Sequence, residues 1–216
     1  TVAIEVDVDL SDAAAFSNDG TGWDYYDPKE LFPNGYFIEG FVTLTDQGDS
    51  YPELSVPYVG FNGDWNAAPI LDDLSYDDVE NPSFYEAAGM VYDGHDGDYY
   101  YLGENPFATE DDYFGRTLDR IAISPNGDGV QDEIIPVLSF LRNAKTVKYN
   151  ILDADKNKLR TIRSEQNVRK HYYDGGLGAM YYLGVNNAWD GTVGKQVVAD
   201  GQYYYEIEAT IDYAGK

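Results

Sequence analysis

Residues 2–10 read Val-Ala-Ile-Glu-Val-Asp-Val-Asp-Leu, with apolar side chains at the even positions and mostly acidic ones between them. A period of two puts alternate side chains on opposite faces of an extended backbone, so this stretch suits a half-buried strand and no helix. The same kind of short run recurs along the chain, at residues 36–44, 53–61, 120–124, 134–140, 146–153, 158–163 and 202–213. Residues 168–173 and 180–185 are weaker candidates, and short pairing is expected around residues 99–102. Turn residues separate the runs. Gln47 to Ser50, the hairpin loop Asp153 to Asn157, and Asp200-Gly201 are examples. Pro57 lacks a ladder donor, which places its strand at an edge or a bulge. Residues 11–34 read as a long polar loop with one helical turn near Pro28 to Leu31. No amphipathic helix and no fixed repeat is visible, so short strands at this spacing predict an all-β sandwich.

Composition agrees. Of 216 residues, 43% are apolar, enough for a packed core, and 21 are Tyr, which favours pleated, half-buried surfaces. There is no Cys, so neither a disulfide framework nor thiol chemistry is available. No apolar run approaches the ~20 residues of a membrane span. No signal peptide opens the sequence, and the start inside a strand pattern is expected of a piece of a longer protein.

The net charge is −25. Binding to nucleic acid or to an anionic membrane surface depends on basic side chains, so neither is an expected partner. Two readings of the carboxylates remain, solubility of a secreted protein and capture of a divalent cation. The charge is also uneven. Residues 1–118 hold 26 Asp and Glu against only Lys29 and Arg116, whereas residues 119–216 hold 13 acidic and 12 basic residues. Two units of different surface character are expected. Residues 72–118 show little periodicity and carry the acidic run Asp72, Asp73, Asp77, Asp78 and Glu80. They read as an irregular segment that wraps the two units together.

Catalytic groups are scarce. A Ser nucleophile needs a nearby base, yet His95 and His171 are the only histidines and no Ser lies in a Gly-x-Ser-x-Gly turn. The segment Asp93-Gly-His95-Asp96-Gly-Asp98 is either a polar site or a solvated Gly-rich turn. Carboxylate pairs are numerous enough to arise by chance. The best site candidate is Ser124-Pro-Asn126-Gly-Asp128-Gly-Val-Gln-Asp132. Oxygen-bearing Ser124, Asn126, Asp128 and Asp132 match much of the spacing of a calcium loop, with a Gly after Asp128 for the sharp turn. The first position is Ser rather than Asp, and the twelfth is Ile135, where a bidentate carboxylate belongs. The competing reading is a tight loop whose Asn126 and Asp128 bond their own backbone. Trp189 in Asn187-Ala-Trp-Asp-Gly191, and Trp65 in Gly63-Asp-Trp-Asn66, read either as core or as sugar-stacking surfaces.

Residues 35–66, from Gly-Tyr-Phe-Ile-Glu-Gly-Phe through Val-Gly-Phe-Asn-Gly-Asp-Trp-Asn, resemble the fibronectin-type-III-like domain that follows the catalytic domain of cell-envelope subtilases, the lactocepins and streptococcal complement peptidases. Ile123 to Gly129, Leu141 to Asn143, Trp189 to Gly191 and the lead-in Tyr101-Leu-Gly103 resemble motifs of the next domain, in the expected order. The resemblance implies two fibronectin- or immunoglobulin-like β-sandwich units, the first partial, joined by a long irregular segment. Residues 1–72 would be the C-terminal part of the first, 73–118 the acidic linker and 119–216 the second. It also implies a non-catalytic accessory region of an extracellular, Gram-positive cell-wall serine endopeptidase. Its partners would be the catalytic domain of the same polypeptide and a protein or peptide substrate. The family's catalytic Asp, His and Ser motifs are not among these residues, so no catalytic residue is carried over. The rival expectation is a carbohydrate- or host-protein-binding adhesion module.

Overall fold

A computed structural model describes residues 5–18, 20, 22–48, 50–172 and 180–211. The chain divides into two compact units, Thr1–Ala68 and Pro69–Lys216.

The first unit is built of hairpins. Strand β1 (Ala15–Asn18) pairs antiparallel with β2 (Trp23–Tyr26) inside the stretch expected to be loop. A single helical turn, α1 (Pro28–Leu31), follows at the expected place. Its Asp27 carboxylate accepts the Lys29 N–H at 2.9 Å, and Pro28 occupies the first turn, where no N–H is needed. Strands β3 (Tyr36–Leu44) and β4 (Leu54–Asn62) then pair over their whole length. Asp46 closes the turn between them by accepting backbone N–H groups of Gly48, Ser50 and Tyr51. Pro57 faces Phe41 in a two-stranded sheet, where each strand has a free edge and a missing N–H is tolerated. The alternating run at residues 2–10 forms no ladder over 5–10, and residues 1–4 lie outside the described residues. Alternation marks a face, but a strand also needs a partner, and no described strand pairs with these residues.

The second unit is a β-sandwich. One sheet has the order β10-β7-β5-β6, from Tyr182–Leu183, Ile135–Leu138, Gly89–Asp93 and Tyr99–Tyr101. The other has the order β13-β8-β9, from Tyr204–Ile211, Ala144–Leu152 and Lys158–Val168. All pairings are antiparallel. A short hairpin of β11 (Thr192–Val193) and β12 (Gln196–Val197) stands apart from both sheets. The two sheets share their cores. Met90 of β5 packs in one cluster with Ile151 of β8, and Leu138 of β7 packs in another with Val147 and Tyr149 of β8. Burying one such side chain contributes roughly 2 kcal/mol, so β8, paired on both edges, is the centre of the unit.

Two expectations are corrected here. Residues 120–124 form no strand. They begin with a 3-10 turn at Leu118–Arg120, and Ile121 and Ile123 then pack on the core without joining a ladder. Apolar alternation signalled their burial but not their pairing. Residues 73–118, expected as a linker between units, lie within the second unit and supply β5 and β6. Strand β5 shows no alternation because both its faces are covered. Met90 packs toward Ile151, while Val91 packs with Ile135 and Val137. The acidic run ties this segment together. Asp72 accepts the Phe84 and Tyr85 N–H groups, Asp77 those of Phe114 and Arg116, and Asp78 that of Leu118.

Candidate functional site

The loop from Ser124 to Asp132 closes around one carboxylate. Asp132 Oδ1 accepts the N–H groups of Asn126 at 3.0 Å and Gly127 at 2.7 Å, and Oδ2 accepts that of Gly129 at 2.7 Å. Gly127 and Gly129 have φ of 80° and 85°, the left-handed region that lets successive N–H groups converge on one anion. Within the loop, Asn126 Oδ1 accepts the Asp128 N–H at 2.9 Å, and Asp128 Oδ1 accepts that of Val130 at 2.9 Å. Asp128 Oδ2 takes the Asn126 amide at 3.0 Å. The backbone N–H groups of Gly127 and Gly129 hold the Asp132 carboxyl below the usual range.

A calcium ion takes six to eight oxygen ligands. Here both oxygens of Asp132 and of Asp128 are already taken as acceptors, and Ser124 meets the loop through its backbone, donating to the Gln131 carbonyl at 2.7 Å. Asn126, Asp128 and Asp132 thus meet in one loop that is bonded to its own backbone. Among the described residues no group of three or more His, Asp or Glu side chains is placed to hold a metal. The side chains of Asn126 and Asp128 make the backbone bonds that the tight-loop reading of the sequence expects.

Two other marked segments meet this loop. The turn carrying His95 lies against it, since a Cβ on Gly129 would stand 3.1 Å from His95 Cδ2. Within that turn Asp93 accepts the His95 N–H at 2.8 Å, and Asp96 accepts both the Asp98 N–H and the Tyr100 hydroxyl, the latter at 2.7 Å. That bond to an anion pushes the Tyr100 hydroxyl up to about 12 and lowers Asp96. On another side, Gly191 abuts Pro125, leaving no room for a Cβ, which would stand 2.7 Å from the ring. Trp189 exchanges two backbone hydrogen bonds with Ile134, both 2.9 Å. Its indole donates to the Thr192 carbonyl at 2.9 Å and packs edge-on against Tyr203. At 6% exposure Trp189 is a core residue and presents no stacking face. A cavity of about 550 Å³ adjoins it, walled by Ile121, Ile123, Val198, Tyr203 and Tyr205.

Trp65 differs. It is 41% exposed in the first unit and makes an edge-to-face trio with Phe37 and Phe61. The side chain of Trp23 lies outside the description.

Among the described residues neither histidine is hydrogen-bonded to a Ser or Thr side chain. His171 Nδ1 accepts the Phe140 N–H at 3.0 Å, its ring packs on Phe140, and burial lowers its pKa. His95 stands 4.0 Å from Asp93 and is largely exposed. Sequence reasoning missed a different group: Arg116, whose guanidinium lies 3.7 Å from the Tyr101 ring centre and whose Nε donates to the Ser75 carbonyl at 2.6 Å. The signal that could have found it is its isolation, one of only two cations among 26 carboxylates in residues 1–118.

Residues 1–59 match the model of a family described as the Fn3-like domain. The chain is 32% identical, over 83% of its length, to the PI-type proteinase of Lactococcus lactis subsp. cremoris, and the match covers 10% of that protein. It is 30% identical, over 82% of its length, to the C5a peptidase of Streptococcus pyogenes serotype M1, covering 19% of it. The PII-type proteinase of Lactococcus lactis subsp. cremoris is similar to the same extent as the PI-type, at 32% over 83% of the chain. The chain thus spans only about a tenth to a fifth of the relatives it matches.

Proposed function

We infer, from a chain that carries an Fn3-like domain and is related over most of its length to one region of the cell-envelope subtilisin-like proteases, that it serves such a protease as a non-catalytic accessory region. The parent would be an extracellular, cell-wall-associated serine endopeptidase. These units would orient its catalytic domain and add contact area for a protein substrate. The observation that carries the reading is the relationship itself, 82–83% of this chain against a small share of two kinds of proteinase. The placement of the histidines supports it, because neither is hydrogen-bonded to a Ser among the described residues and His171 is committed to Phe140.

Binding energy from remote parts of a long substrate can assist cleavage without touching the reacting bond. The test is made in a proteinase that contains this chain, by replacing residues 1–216 with an unrelated sandwich of similar length. The reading predicts that kcat/KM for casein falls by about tenfold while hydrolysis of a short chromogenic peptide stays within about twofold. Equal rates on both substrates would leave the region as a spacer and overturn the substrate-binding role.

A further inference from the structure

Between Lys29 and Arg142 the sequence has only two basic residues, Arg116 and Arg120. Both line one groove of about 610 Å³, together with Tyr99, Tyr100, Tyr101 and Gln131. In a chain of net charge −25, two cations would be expected to find carboxylates. Neither does: no ion pair to Arg116 or Arg120 forms among the described residues, although Glu104 shares the groove wall.

Arg116 is held in place without an anion. Its Nε donates to the Ser75 carbonyl at 2.6 Å, and its guanidinium lies 3.7 Å over Tyr101 and 5.2 Å from the Phe114 ring. Those contacts fix the plane of the fork and leave both Nη groups without a hydrogen-bond partner among the described residues. Arg120 is exposed, its guanidinium 5.8 Å from the Phe107 ring, and its side chain has no hydrogen-bond partner among the described residues. Two ordered or available guanidinium groups beside tyrosine faces form a receptor for a planar anion with an apolar stem.

We propose that this groove binds a peptide carboxylate, either an acidic side chain or a C-terminus. The fork geometry suits a carboxylate, and the tyrosine faces suit the methylene groups behind it. A polyanion is disfavoured, because the surrounding acidic surface repels each added charge while only two cations compensate. The site does not rest on the accessory reading, since binding by the isolated chain requires no protease.

The test is a titration of the 216-residue chain with three capped peptides, followed by the NMR signals of the arginine Nε–H groups and the tyrosine rings. N-acetyl-Ala-Glu-Ala-amide and N-acetyl-Ala-Ala-Ala with a free C-terminus carry one carboxylate each, and N-acetyl-Ala-Gln-Ala-amide carries none. At least one carboxylate peptide is expected to bind about tenfold more tightly than the glutamine peptide, and which of the two does so identifies the source. Arg120→Gln removes no hydrogen bond of the fold and is expected to weaken that binding about tenfold, as is raising the salt. Arg116→Lys keeps the charge, loses the fork and is also expected to weaken it. Should that variant lose its native spectrum, Arg120→Gln alone decides. Equal binding of the glutamine peptide, no binding of any peptide, or undiminished binding by Arg120→Gln overturns the proposal.

Discussion

At the scale of single residues, aspartate does work in this protein that composition disguises. Asp132, Asp46 and Asp153 each gather backbone N–H groups at a turn, and those bonds lower all three carboxyls. A depressed folded pKa contributes stability above the unfolded value of 3.8, and that stability is lost as pH falls from there through the folded value. His171 acts in another window. Its pKa is lowered from 6.5 by burial, and Nδ1 must stay unprotonated to accept from Phe140. Protonation then favours the unfolded chain, so stability declines as pH falls below 6.5 and levels off beneath the folded value. Thermal melts against pH should therefore show two declines. Asp132→Asn should lower the midpoint at pH 7 and converge with the parent chain below pH 3.8. A gap that persists in acid would show that Asp132 does not act as the loop's backbone acceptor. The sequence displayed the loop and both its readings. It could not display which atoms the carboxylate faces, because that depends on Gly127 and Gly129 turning their N–H groups inward.

At the scale of elements, strands were legible where one face is covered and illegible where both are or where no partner exists. Strands β3 and β8 lie close to their expected ranges because apolar and polar residues alternate along them, and β9 starts where expected but runs on to Val168. Strand β5 escaped notice since Met90 and Val91 are both buried, on opposite faces. Residues 5–10 and 121–124 alternate but join no ladder. The consequence for stability is an inequality. Ile151, at the centre of β8 and 0% exposed, should cost about 2–5 kcal/mol when cut to Ala, for lost transfer energy and the cavity left behind. Phe41, 71% exposed in β3, should change stability by no more than about 0.5 kcal/mol. Urea denaturation of the two variants checks this, and a larger loss at Phe41 would mean that the hairpin face is covered in the isolated chain.

At the scale of the molecule, the two units differ in how they are held. The second has three buried clusters, while in the first the side chains of Phe37, Phe41 and Val59 stay largely exposed. The charge asymmetry did signal two units but misplaced the boundary. The acidic segment 73–118 owes its carboxylates to backbone bonding within the second unit, so charge changes at residue 118 and structure changes at residue 68. Neither unit brings His95 or His171 to a serine among the described residues. The proposed accessory role would leave peptide-bond cleavage to residues outside this chain. Incubating the purified 216-residue chain with casein, with and without a covalent serine-protease inhibitor, tests this most directly. No cleavage above the inhibited control is the predicted result, and inhibitor-sensitive cleavage by the chain alone would contradict it.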